Sequence, residues 1–203
     1  MQNLLILLFA IFALGCHAQN AEYLAKKFHT LADYKVIRAD FIQTRRIAEL
    51  DMQVKIEGNM VCEKNGRLRW QVKSPVSSVT VIGKDELRHF DAETGKTAVI
   101  RPDKFPWLEI LRSCMTDWLS GDPEQLARRF ELSAKDDRTL RLIPKGSQLK
   151  QIFKSVEIRA DSQFHAVEAI VIEEKSGDRL DIRFLNVRKN PVLPEKTWRL
   201  PPS

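Results

Sequence analysis

Between Asp51 and Glu63 the chain reads DMQVKIEGNMVCE, and the residues sort by a two-residue period. Met52, Val54, Ile56, Gly58, Met60 and Cys62 fall on one side; Gln53, Lys55, Glu57, Asn59 and Glu63 fall on the other, with only Val61 out of pattern. Successive side chains of a strand point to opposite faces, so this pattern predicts one long strand with an apolar face and a solvated face. The same rhythm predicts strands over Val36–Ile47, Arg67–Ser74, Ser78–Gly83, Glu86–Asp91 and Thr97–Arg101. It resumes over Phe130–Ala134, Thr139–Pro144, Ile152–Ala160, Ala166–Glu174 and Arg179–Val187. Turn residues such as Asn65-Gly66, Gly83-Lys84-Asp85 and Thr94-Gly95 mark the joints of an antiparallel meander. Eleven such strands fit one large curved sheet better than two small ones.

Two stretches follow a helical period instead. Leu24, Phe28 and Leu31 make a short amphipathic helix of residues 21–32, suited to plugging one end of the sheet, with Phe41 of the first strand expected to anchor it. In PWLEILRSCMTDWL, residues 106–119, Trp107, Ile110, Leu111, Cys114, Met115, Trp118 and Leu119 form a broad apolar stripe, closed by Gly121. Asp122-Pro123 then opens a second helix with an N-cap and a first-turn proline. Periodicity leaves two readings of the middle helix open: permanent filling for the concave face, or a lid over a cavity.

The first residues change the picture of where the chain works. Leu4 to Leu14 is an uninterrupted apolar run, too short to span a bilayer and of the length of a secretory signal core, although Met1-Gln2-Asn3 lacks Lys and Arg. Residues 1–18 are read as a signal peptide cleaved after Ala18, leaving one domain over 19–203; lipidation at Cys16 is the alternative. With 43% hydrophobic and 30% charged residues, the chain has the material for a real core. The net charge of +6 is read as solvated strand faces rather than a nucleic-acid surface in an exported protein. Cys62 and Cys114 are expected as two buried thiols on the apolar faces of sheet and lid, a clamping disulfide being the other possibility. There is no GxSxG, HExxH, phosphate loop or metal-ligand spacing, so no enzyme chemistry, metal or cofactor is expected.

Several short features then occur in a fixed order: Phe41-Ile42-Gln43-Thr44, Gly58, Arg69-Trp70 followed by Ser74-Pro75, the mid-chain helices, Leu149-Lys150 and Pro201-Pro202. In that series the chain resembles the LolA family of outer-membrane lipoprotein carriers. The resemblance implies an unclosed antiparallel half-barrel whose concave face, covered by short helices, receives lipoprotein acyl chains or another lipid. It also implies a monomer in the periplasm, loaded by an inner-membrane lipoprotein-releasing transporter and unloaded at an outer-membrane receptor. Six residues before Trp70, where carriers of this kind often have Arg, stands Lys64, the candidate latch for the lid. The chain stops at Ser203, short of the usual carrier tail, which with Cys16 leaves a LolB-like anchored acceptor or an envelope lipid sensor as alternatives, and an exported hydrolase behind them. The candidate acyl site comprises Val54, Ile56, Met60, Leu68, Trp70 and Phe90 on the sheet and Trp107, Ile110, Leu111, Met115 and Trp118 on the lid.

Overall fold

The computed structural model describes residues 23–64, 66–101 and 107–201, the side chains of 107–112 excepted. The signal segment, Cys16, and the lid side chains of Trp107, Ile110 and Leu111 lie outside what is described. The strands are β1 (Val36–Ile47), β2 (Met52–Glu63), β3 (Leu68–Ser74), β4 (Ser78–Ile82), β5 (Leu87–Asp91) and β6 (Lys96–Ile100). A second set follows: β7 (Phe130–Ala134), β8 (Thr139–Pro144), β9 (Phe153–Ala160), β10 (Val167–Glu174) and β11 (Arg179–Lys189). All eleven join in one antiparallel sheet of order β6-β5-β4-β3-β2-β1-β11-β10-β9-β8-β7. The first six strands meander one way, the last five meander back, and the chain ends meet in the middle where β11 pairs with β1. Asn190 secures that seam: its Oδ1 accepts from the backbone amides of Lys35 at 2.7 Å and Val36 at 3.2 Å. β6 and β7 stay at opposite edges without a shared ladder, so the sheet is an unclosed half-barrel.

Strand β2 explains why the sheet can bend around its own core. Phe41 of β1 faces Gly58, and its ring lies over that glycine to stack on Trp70 of β3, with centroids 3.9 Å apart and planes at 22°. A Cβ on Gly58 would fall 2.0 Å from the Gln71 carbonyl oxygen and 2.6 Å from Cζ of Phe41, so no other residue fits without moving backbone. The pairing also shifts register between Glu57 and Gly58, a bulge that adds local bend. Phe41, expected against the first helix, is thereby committed to the aromatic stack.

Helix α1 runs through residues 23–29 and continues as a 3-10 turn at Thr30–Ala32; Leu24, Phe28 and Leu31 are buried in the core. Helix α2 (Trp107–Ser120) ends where Gly121 adopts φ +64 and donates its amide to the Asp117 carbonyl at 3.0 Å. Helix α3 (Pro123–Ala127) starts as its sequence predicts, with the Asp122 side chain accepting from the Glu124 amide at 3.0 Å and Pro123 in the first turn. A fourth helix, α4 (Ser147–Ile152), occupies a stretch where the sequence pattern predicts only a strand beginning at Ile152. Its six residues are too few to show a helical period, and Leu149 is its only buried side chain.

Past β11 the tail crosses the outer face of the first meander. Arg69 Nη1 donates to the Arg199 carbonyl at 2.9 Å, Arg88 Nη2 donates to the Trp198 carbonyl at 3.2 Å, and the Arg67 guanidinium sits 4.5 Å from the Trp198 ring centroid. Val79 and Val81 are buried on that outer face although the sheet there has no second layer of strands. The tail works as a strap over the convex side, leaving the concave side to the helices.

Candidate functional site

The concave face encloses an apolar hollow of about 530 Å³. Its wall draws on both meanders: Leu68 and Trp70 of β3, Thr80 and Ile82 of β4 and Leu87 of β5 on one side, Ile170 and Ile172 of β10 with Leu180, Ile182 and Phe184 of β11 on the other. Ile152 and Phe153 close the far side, and Met115, Trp118 and Leu119 of α2 form the roof. The rows follow from register: Ile170 faces Ile182, which faces Gln43, and the next row is Ile172, Leu180 and Arg45. At that row's end the wall turns polar, with Arg45 in the row and Glu174 one step past Ile172.

The roof is both packed and strained. Trp118 is 2% exposed and its ring stands edge-on to Phe153, centroids 5.4 Å apart, and tilted against Phe130 at 6.3 Å. Yet among the described residues its buried indole N–H has no hydrogen-bond partner, and neither has the Tyr34 hydroxyl. An unmet buried donor costs about 1–3 kcal/mol, so the covered state carries a standing penalty. Behind α2, away from the hollow, a polar cleft of about 340 Å³ is lined by Tyr34, Lys64, Asp117, Asp122 and Gln125 among others. There Asp117 pairs with Arg129, tying α2 to the start of β7. Burial pushes the Asp117 carboxyl above its usual range, more than the Arg129 charge beside it pulls it down.

The sequence-derived candidates divide by position. Leu68, Trp70, Met115 and Trp118 line the hollow together. Met60 is fully buried one strand away, beside Trp70, and packs the core. Val54 and Ile56 share the concave face next to Arg45 and Gln43, outside the lining and where β3 no longer pairs with β2. Phe90 is carried to the other side: it pairs with Val79 in the row of Gln71, whereas the concave row runs through Trp70, Thr80 and His89. In Leu-Arg-His-Phe-Asp the two apolar residues fall on opposite faces, and Leu87 takes the inner one. Lys64 donates from Nζ to the Ala32 carbonyl at 2.8 Å, holding the turn after α1, and faces α2 across the polar cleft.

The hollow's β11 side was legible as alternation at Leu180, Ile182 and Phe184, but only the β1–β11 pairing brings it opposite Trp70. Arg45 and Glu174 gave no signal, since a charge near a strand end ordinarily faces solvent. Cys62 and Cys114 are free and buried, and burial pushes both thiols up to about 12. Both are therefore expected to ignore a thiol reagent at neutral pH and to react fully in denaturant. Rapid labelling of the native protein, or a mass two hydrogens light, would contradict this.

An unclosed antiparallel sheet around a helix-roofed apolar hollow defines a class of scaffold able to enclose an apolar ligand. The model of the family described as outer membrane lipoprotein carrier protein LolA matches residues 32–200, and the chain belongs to that family. An outer-membrane lipoprotein carrier protein of Legionella pneumophila (strain Paris) is 24% identical over 204 residues, covering 100% of this chain and 96% of the relative. Among solved structures, an uncharacterized conserved protein from Thermus thermophilus superposes with a TM-score of 0.55 at 11% identity, over 90% of this chain and 94% of that one. A chain from the MucA/MucB complex of Pseudomonas aeruginosa gives 0.51 at 13% identity, over 88% of this chain and 61% of that one. At such identities the likeness speaks for the fold. Among the described residues, no helix is long and apolar enough to cross a membrane.

Proposed function

We propose that the protein is an exported periplasmic carrier that takes the acyl chains of a lipoprotein, or a related amphiphile, into the concave hollow and delivers them toward the outer membrane. The observation that carries this is the hollow itself: about 530 Å³, walled by aliphatic and aromatic side chains, within the range of pockets that hold whole small ligands. Each methylene leaving water contributes about 0.8 kcal/mol, so ten are worth about 8 kcal/mol, on the order of micromolar affinity before ordering costs. Shape and dryness suffice; no bond need be made or broken, in keeping with a binding rather than an enzymatic role.

Release is the harder half, and one feature of the roof favours it. The unmet Trp118 N–H offsets part of what covering the hollow gains, which brings the covered and uncovered states nearer in free energy. A membrane transporter that loads and a receptor that binds the chains more tightly can then shift the balance without nucleotide hydrolysis. Mass spectrometry of protein extracted from the envelope is expected to find acylated lipoprotein or lipid bound one to one, and the Trp118→Glu variant is expected to come out empty. A wild-type protein that is always empty, and indistinguishable from that variant in transfer to outer-membrane vesicles, would overturn the reading.

A further inference from the structure

The hollow is apolar at depth and charged at one lip, and the charges are arranged rather than scattered. Arg45 Nη2 lies 3.1 Å from Glu174 Oε1 and 3.0 Å from Asp178 Oδ2. Asp178 is itself fixed by accepting the Ala48 amide at 3.0 Å, and that bond and Arg45 keep its carboxyl below the usual range, hence charged at neutral pH. Both carboxylates grip the same nitrogen. Nε and Nη1 of Arg45 have no protein acceptor among the described residues, and Arg45 and Glu174 are part of the wall. Arg45 ends the Ile172–Leu180 row and Glu174 follows Ile172 by one step on the same face, at the edge where the polar end of a chain buried against Ile170 and Ile182 would emerge.

Resting on the carrier reading above, we propose that Arg45, Glu174 and Asp178 form a head-group site that accepts uncharged heads bearing ester or amide carbonyls and turns away anionic phosphate heads. One cation and two anions sum to a net negative lip. A carbonyl oxygen meets the free Arg45 donors and gives a charge-assisted hydrogen bond with no charge of its own to be repelled. A phosphate meets the same donors but brings its charge against two fixed carboxylates, and like charges at an interface are costly. The acylated end of a lipoprotein has such carbonyls and lacks a phosphate, so the lip separates cargo from bulk phospholipid by charge while the hollow treats their chains alike.

Two probes with the same chain isolate the head: monopalmitoylglycerol and palmitoyl lysophosphatidylglycerol, titrated below their aggregation concentrations and read by the fluorescence of Trp70 and Trp118 in the wall. The wild-type protein is expected to bind the uncharged lipid about tenfold more tightly. The Arg45→Met variant should weaken that lipid about tenfold, and the Glu174→Gln/Asp178→Asn double variant should reverse the order by releasing Arg45 to the phosphate. Equal affinities in the wild type, or an order that the double variant leaves unchanged, would overturn the head-group site. A purely structural clamp on the Ala48 turn would lower the melting temperature of the variants and leave the ratio alone, which also overturns it. Failure of both lipids to bind would overturn the carrier reading and this inference with it.

Discussion

Replacing Gly58 with alanine is expected to cost about 3 kcal/mol, the upper end of what overpacking usually does. The clash is with backbone, 2.0 Å from the Gln71 carbonyl oxygen, and with the tip of the Phe41 ring, and neither is the free end of a flexible side chain. The β2–β3 ladder must open or the Phe41–Trp70 stack must break, and aromatic pairs of this kind contribute about 0.5–1.5 kcal/mol beyond the area they bury. For a domain of this size the loss corresponds to a fall in melting temperature of about 6–12 °C. Thermal denaturation followed by circular dichroism measures it. A variant within about 2 °C of wild type, less than a 1 kcal/mol change produces, would mean that the bulge relaxes freely and that the stack does not shape the sheet. Because Trp70 lines the hollow, the same variant is also expected to bind acyl probes more weakly at temperatures where it is still folded.

The second large effect lies in the roof, where two substitutions at Trp118 should part company. Trp118→Ala removes a buried indole that meets Phe130 and Phe153, and large-to-small changes of this type cost about 3–5 kcal/mol, less whatever the unmet N–H gives back. Trp118→Phe keeps a ring in the same place and deletes the orphan donor, whose penalty of about 1–3 kcal/mol is comparable with the packing lost. The phenylalanine variant is therefore expected within about 1 kcal/mol of wild type in stability, and to release a bound acyl probe more slowly, since the covered state no longer carries that penalty. Stopped-flow release into vesicles, set beside urea denaturation, separates the two quantities. Faster release from the phenylalanine variant would show that the unmet donor plays no part in uncovering the hollow.

The pattern of the chain was most informative where packing is one-sided. Leu68 and Trp70 alternate with Arg67, Arg69 and Gln71, and that alone assigns them to the inner face. The stripe through Cys114, Met115, Trp118 and Leu119 likewise announces which side of α2 meets the sheet. Phe90 shows the limit: β5 is half-buried throughout, Leu87 and Phe90 differ in parity, and the two faces of that strand are told apart only by its pairing with β4. α4 is shorter than two turns and left no period to read.

By itself the sequence determined the alternation, the turns, the mid-chain helices and hence an antiparallel sheet with one greasy side, because side-chain direction along a strand or helix is a local property. The tertiary structure alone decided that β11 returns to lie beside β1, that the hollow is therefore built from residues far apart in the chain, and that Arg45 meets Glu174 and Asp178 at its edge. By alternation Arg45 shares the face of Phe41 and Arg46 takes the opposite one; the first turns inward to Glu174 and Asp178, and the second pairs with Asp51 on the exposed face. The alternation gives the face of each charge, but the two carboxylates that meet Arg45 arrive from the far end of the chain, and that pairing is information carried by the fold.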